Sequence, residues 1–237
     1  MTSTLKKRRA AVFYSAKNTY SQSLKTEFKN ALFYGNQGEI VTEIDITQTD
    51  FNPTEALKLA RAKNAEVLIF ATSPSDVDRA LLVIQTNRQP LPILGSDALY
   101  SNKVRDALNP TTQSLTLAVP TQQVGLAQSL FAQSARRLWE TPVTWRSALA
   151  YDATVVLTLA IATAQTTPQT TGKTTAIRDQ IRSALASPQF QVAGSVGPIR
   201  FTEMGDPQEA IQLVTLRSNP RTSQPEFIPQ MTLTPKP

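Results

Sequence analysis

The sequence predicts an α/β fold: a parallel sheet flanked by helices, with an additional helical segment. Three observations predict it. Four apolar runs alternate with three amphipathic stretches through the first hundred residues; the joints between them are short; and the apolar runs end in polar loops that open the next helix. A strand, a helix and a strand joined this way cross over right-handed into a parallel pair.

The elements follow in order. After the basic Lys6-Lys7-Arg8-Arg9, the run Ala10 to Tyr14 suits a strand buried on both faces. Leu24, Phe28, Ala31 and Leu32 fall on one helical face, and the helix stops near Gly35 and Gly38. Ile40, Thr42, Ile44 and Ile46 alternate with polar residues as a second strand. Asn52-Pro53-Thr54-Glu55 opens a helix: asparagine can cap, proline is tolerated in the first turn, and the glutamate can reach back to the cap. Glu66 to Ala71 is the third strand, and Ser73-Pro74-Ser75-Asp76 repeats the helix-start pattern ahead of Val77, Ala80, Leu81 and Ile84. Leu91 to Gly95 is a fourth strand, and just past its glycine stands a lone carboxylate, Asp97.

Beyond Val104 the pattern loosens. Ser114 to Val119 reads as a strand, followed by helices over about 124–139, 145–164 and 174–186. In the second of these, Ala148, Tyr151, Asp152, Val155, Leu159 and Ala162 share a face. In the third, Ile177, Ile181, Ala184 and Leu185 do. Gln165 to Thr171 reads as a surface loop, Gly194 to Asp206 as a turn-rich hairpin, Ala210 to Leu216 as a strand, and the tail from Asn219, with five of the 16 prolines, as extended chain. The expected organisation is an α/β lobe of residues 1–117 with 207–217, a helical segment of 118–206, and a tail of 218–237.

Composition narrows the function. The 237 residues are 41% hydrophobic, enough for one or two cores. With neither cysteine nor histidine, the chain cannot use a cysteine nucleophile, a Ser-His triad, a Cys/His zinc site or histidine acid-base chemistry. Asp76 and Asp78, two apart, diverge on a helix and make no acid-base pair. Thr171-Gly172-Lys173-Thr174-Thr175 lacks the glycine that a phosphate loop needs at position 167, where threonine stands. No enzyme, metal or cofactor is expected. The net charge of +6 sits largely in the N-terminal cluster, with no basic face interleaved with aromatics, so no nucleic-acid partner is expected. The apolar run after the basic leader is shorter than the about 7–15 residues of a signal-peptide core. No run reaches the about 18 apolar residues of a membrane helix. Read alone, the sequence predicts a soluble chain without an export signal.

In an open α/β sheet ligands bind at the carboxyl ends of the strands, where Asp97 would stand. The order of Tyr20 at the first helix, Leu94-Gly95-Ser96-Asp97, Ala150-Tyr151-Asp152-Ala153 and Gly197-Pro198-Ile199-Arg200-Phe201 closed by Gly205-Asp206 resembles the amino-acid-binding branch of the type I periplasmic solute-binding proteins, the receptors of branched-chain amino-acid ABC transporters. The resemblance spans about residues 8–216 and covers the second lobe together with helices that pack on the first lobe's sheet. It implies ligand-binding roles for Tyr20, Ser73 and Asp97: the tyrosine against the ligand, the residue before the third helix closing the pocket, and the carboxylate holding an α-ammonium, which needs a counter-charge when buried. The sequence departs from the family's pattern at Ser21, where glycine is usual, and at Ser73, where some members carry an aromatic.

The resemblance further implies hinge closure over an amino acid or similar amine, a membrane permease or fused signalling module as partner, and a periplasmic or extracytoplasmic location. Without a first-lobe sheet to cover them, the helices are expected to expose apolar surface or to pair in a homodimer. The alternative is a degenerate interaction or sensor domain without a small-molecule ligand. Each residue also has a plain reading: Asp97 as a loop or cap carboxylate, Tyr20 as a half-buried aromatic, Ser73 as an N-cap, and Asp152 as the partner of a backbone or hinge hydrogen bond.

Overall fold

A computed structural model describes residues 6–35, 38–111, 114–141, 143–166, 174–208 and 211–233. In chain order the elements are β1 Arg9–Tyr14, α1 Thr19–Tyr34, β2 Glu39–Asp45, α2 Pro53–Ala62, β3 Val67–Ala71, α3 Val77–Thr86, β4 Ile93–Gly95, α4 Asn102–Ala107, β5 Leu115–Pro120, α5 Thr121–Gly125, α6 Leu130–Trp139, α7 Trp145–Thr166, α8 Thr174–Leu185, β6 Val192–Ala193, β7 Pro198–Ile199, β8 Ile211–Ser218 and β9 Pro225–Leu233. They form two compact units, Met1–Val119 with Leu213–Met231 and Pro120–Gln212 with Thr232–Pro237.

The first unit is built on a seven-stranded sheet of order β2-β1-β3-β4-β5-β8-β9, in which β1 to β5 pair in parallel. β3 is buried along its whole length and β1 at Ala10–Phe13, because helices cover both faces. Phe13 and Phe70, neighbours in register, stack with centroids 5.0 Å apart. β2 pairs only with β1 at the edge, and its inward residues close off gradually, from half-buried Ile40 to buried Ile44. The predicted cap of α2 is present: Asn52 accepts from the N–H groups of Thr54 and Glu55.

The proline-rich stretch expected as an extended tail contains a strand, β9, at the far edge of the sheet. An edge strand tolerates Pro225 and Pro229, which cannot donate to a neighbour. Phe227 brings its ring to 4.9 Å from that of Tyr100.

The second unit is helical, with a small antiparallel hairpin of β6 and β7. The helix predicted over 124–139 is broken into α5, a 3-10 turn and α6. Ser129 makes the break: its hydroxyl donates to the carbonyl of Leu126 and accepts from the N–H of Ala132, capping α6. The buried row of α7 is Ala148, Asp152, Val156, Ala160 and Ala164. Tyr151 and Leu159, which the sequence places on the same face, stand 42% and 37% exposed. The helix is apolar nearly all round, so its periodicity cannot choose a face. Packing of Val156 and Ala160 on Phe190 and Ile199 chooses it, together with Asp152, which accepts from the N–H and the hydroxyl of Ser195. Contrary to the sequence expectation, the span Trp145–Ala164 is long and apolar enough to cross a membrane by length and composition. Most of the loop expected at Gln165 to Thr171, and the Gly172-Lys173 pair, lie outside the described residues.

Candidate functional site

The order β2-β1-β3-β4-β5 reverses between β1 and β3, and in open α/β sheets ligands bind outside the carboxyl ends of the strands at such a reversal. The three residues named from the sequence lie just past β1, β3 and β4: Tyr20 in the first turn of α1, Ser73 after β3, and Asp97 in a 3-10 turn after β4.

Asp97 is held firmly. The N–H of Ser96 donates to Phe70, and its hydroxyl donates to the carbonyl of Thr72, tying the end of β4 to that of β3. Buried Ala98 and Leu99 anchor the turn from within. Gly95 lets the chain pass, since a Cβ there would stand 2.7 Å from Leu99 and 2.8 Å from Leu117.

Tyr20 reaches Asp97 across 77 residues of sequence: its hydroxyl donates to Oδ1 at 2.7 Å. Withdrawal of the phenol from water, then the bond to Asp97 and the nearby negative charge, push its pKa well above the usual tyrosine value. The side chain remains 46% exposed, so the residue offers a ring as well as a hydroxyl. The pair leaves Asp97 a second carboxylate oxygen with which to meet another donor.

Ser73 is buried and turned to its own loop. Its hydroxyl donates to the carboxylate of Asp76 and lies 2.7 Å from that of Ser75. It precedes the 3-10 turn that leads into α3, but its side chain makes no cap bond there. The structure therefore brings Tyr20 and Asp97 together and commits the Ser73 hydroxyl elsewhere. Asp76, rejected as half of an acid-base pair, serves this turn, while Asp78 pairs with Lys103.

The roles of two residues were not read from the sequence. Asn18 caps α1 by accepting from the N–H of Ser21, a role its position before the first apolar helical residue could have signalled. Ser21, fully buried, accepts from the N–H of Ser15 at 2.7 Å and donates to the carbonyl of Ala71.

No protein-family model matches the sequence, and no curated protein matches it. Among solved structures, the chain is similar to a leucine-binding protein from Thermotoga maritima, at a TM-score of 0.69 and 18% identity over 99% of this chain and 63% of that one. The chain has the fold of the type I solute-binding proteins. A solute-binding protein of an ABC transporter from R. palustris in complex with benzoate shares this fold at a TM-score of 0.63 and 17% identity, over 97% of this chain and 59% of that one. So does a fatty acid ABC transporter substrate-binding protein from Thermomonospora curvata, at 0.65 and 16%, over 100% and 60%. The chain thus spans about 60% of the length of these solute-binding proteins, the share expected of a second lobe with its attached helices.

Proposed function

We propose that the first unit is the ligand-binding lobe of a non-catalytic solute-binding protein, and that it recognises the ammonium group of an amino acid or a similar small amine. The observation that carries this reading is the Tyr20–Asp97 pair at the strand ends. A carboxylate fixed there, with one oxygen engaged and one open, suits a cationic donor and repels a benzoate or a fatty-acid carboxylate. Tyr20 contributes its ring and Asp97 its charge, while Ser73, its hydroxyl engaged by Asp76 and Ser75, supports the loop after β3.

A solute bridging this lobe and a second one would stabilise the closed state by its differential affinity, and the closed form is what a permease or a fused signalling module reads. Such a protein works outside the cytoplasm. The test is thermal unfolding with a panel of amino acids, benzoate and a short fatty acid, in the wild type and in Asp97→Ala. The reading expects a rise with an amine-bearing solute that Asp97→Ala abolishes. A rise with the carboxylates instead, or one that survives the substitution, overturns it.

One observation favours a second reading, an interaction module or homodimer. In the second unit Leu130, Leu138 and Leu157 are 79%, 77% and 51% exposed, apolar side chains left open to a partner. A concentration-dependent mass in light scattering would support that reading.

A further inference from the structure

We propose that Ser21 is the positioning residue of the Tyr20–Asp97 pair: its hydroxyl pins the first turn of α1 to the ends of β1 and β3 so that Tyr20 can reach across to β4. Its weight for ligand binding rests on the site proposed above; the placement itself does not.

α1 is weakly anchored. The helix buries only two residues, Ser21 and Leu32, and they lie at opposite ends. Leu24 and Phe28 pack half-buried on the sheet. In the first turn, therefore, Ser21 is the one buried anchor, and the anchor is polar. With so little apolar side chain buried in this turn, packing alone does little to fix its position. A hydrogen bond has a length and a direction, and it is lost within about 1 Å of displacement.

Ser21 makes bonds of that kind to two strands at once. Its Oγ accepts from Ser15 N–H at 2.7 Å, just past β1, and donates to the carbonyl of Ala71, the last residue of β3. Asn18 fixes the backbone of the same residue, accepting from the Ser21 N–H at 3.0 Å. β3 lies between β1 and β4 in the sheet, so Tyr20, which begins on the β1 side, must pass over the end of β3 to meet Asp97. Ser21 sets the height and offset of the helix over that strand end, and the 2.7 Å bond from Tyr20 to Asp97 depends on both. Without the hydroxyl, the Ala71 carbonyl and the Ser15 N–H lose a shared partner in a buried place, and the turn shifts to bring water or backbone to them.

The test reads the Tyr20 hydrogen bond directly and needs no ligand. In protein labelled with 13Cζ-tyrosine, the Tyr20 resonance is assigned by its absence in Tyr20→Phe, and Asp97→Ala gives its position without the bond. Ser21→Ala is expected to move the resonance most of the way to that position. Ser21→Thr, which keeps the hydroxyl, should hold it near the wild-type position. Asn52→Ala, which removes a cap remote from this site, should lower the melting temperature and leave the resonance in place. If Ser21→Ala does not fold, Ser21→Cys fills the same space with a poor hydrogen-bonding group and gives the same readout.

A folded Ser21 variant lacking the hydroxyl whose Tyr20 resonance stays at the wild-type position overturns the proposal. So does an Asn52→Ala protein that shifts the resonance as far as Ser21→Ala does, since general loosening would then account for it. A ligand that binds independently of Asp97 would refute the ligand reading and leave this result untouched.

Discussion

The two units of the chain solve burial in opposite ways. In the first, a parallel sheet supplies the core: Val12, Phe13, Leu68 and Phe70 are almost wholly removed from water, and the polar chemistry collects at the strand ends. In the second, the described residues form no such sheet. α7 buries one row of mostly small residues and leaves Leu157 and Ile161 at 51% and 41% exposure. A polar tie from Asp152 to Ser195 holds the helix to the hairpin loop. A sheet covered on both faces determines which side chains are inside, whereas a helix apolar all round leaves that choice to its neighbours.

The largest effect is expected where the first unit is densest. Phe13→Ala removes a fully buried ring stacked on Phe70 and should cost about 3–5 kcal/mol in denaturant unfolding, a large part of a typical domain's stability. If the loss fell below about 1 kcal/mol, the sheet would not be the main core. In the second unit, Asp152→Ala strands a buried N–H and hydroxyl of Ser195 and should cost about 1–3 kcal/mol. Both tryptophans, Trp139 and Trp145, lie in that unit, so their fluorescence reports the change where it occurs.

A smaller effect is expected at the site, and it depends on pH. The folded pKa of Tyr20 is raised, so the contribution of its neutral form is fully present below the ordinary tyrosine range, near about pH 10, and is lost as pH rises through the folded value. Tyr20→Phe should cost about 1 kcal/mol at neutral pH, as a partly exposed bond to a charged acceptor. It should also flatten the decline in stability above about pH 10. Unfolding curves at stepped alkaline pH measure both, and an unchanged decline would detach Tyr20 from Asp97.

The smallest effect is expected on the open face of α7. Leu157→Lys should change stability by no more than about 0.5 kcal/mol while reducing the binding of a hydrophobic dye. A loss of several kcal/mol would mean that this leucine is covered in solution, and a simultaneous fall in mass by light scattering would identify the cover as a second copy.

Much of the first unit was legible because its signals are local. The apolar runs of β1 and β3, the Asn52 cap and the Gly95 stop each act within a few residues, and each stands where its pattern indicates. The absence of cysteine and histidine removed whole classes of chemistry before any geometry was known. Tyr20 and Asp97 could be named as candidates from the resemblance, but their bond spans 77 residues and exists only because β1 and β4 flank β3.

Tertiary structure decided the remainder. The hydroxyl of Ser21 looks like any surface serine in the sequence until Ser15 and Ala71 close on it. The face of α7 was undetermined because leucine, isoleucine, alanine and threonine surround the helix, and the contacts with Phe190, Ile199 and Ser195 chose the row 148-152-156-160-164. β9 became part of the sheet because an edge was open to it and an edge does not ask its prolines for a hydrogen bond. Sequence determined what could form within a turn or a strand; contacts between residues far apart in the chain determined which of those possibilities was used.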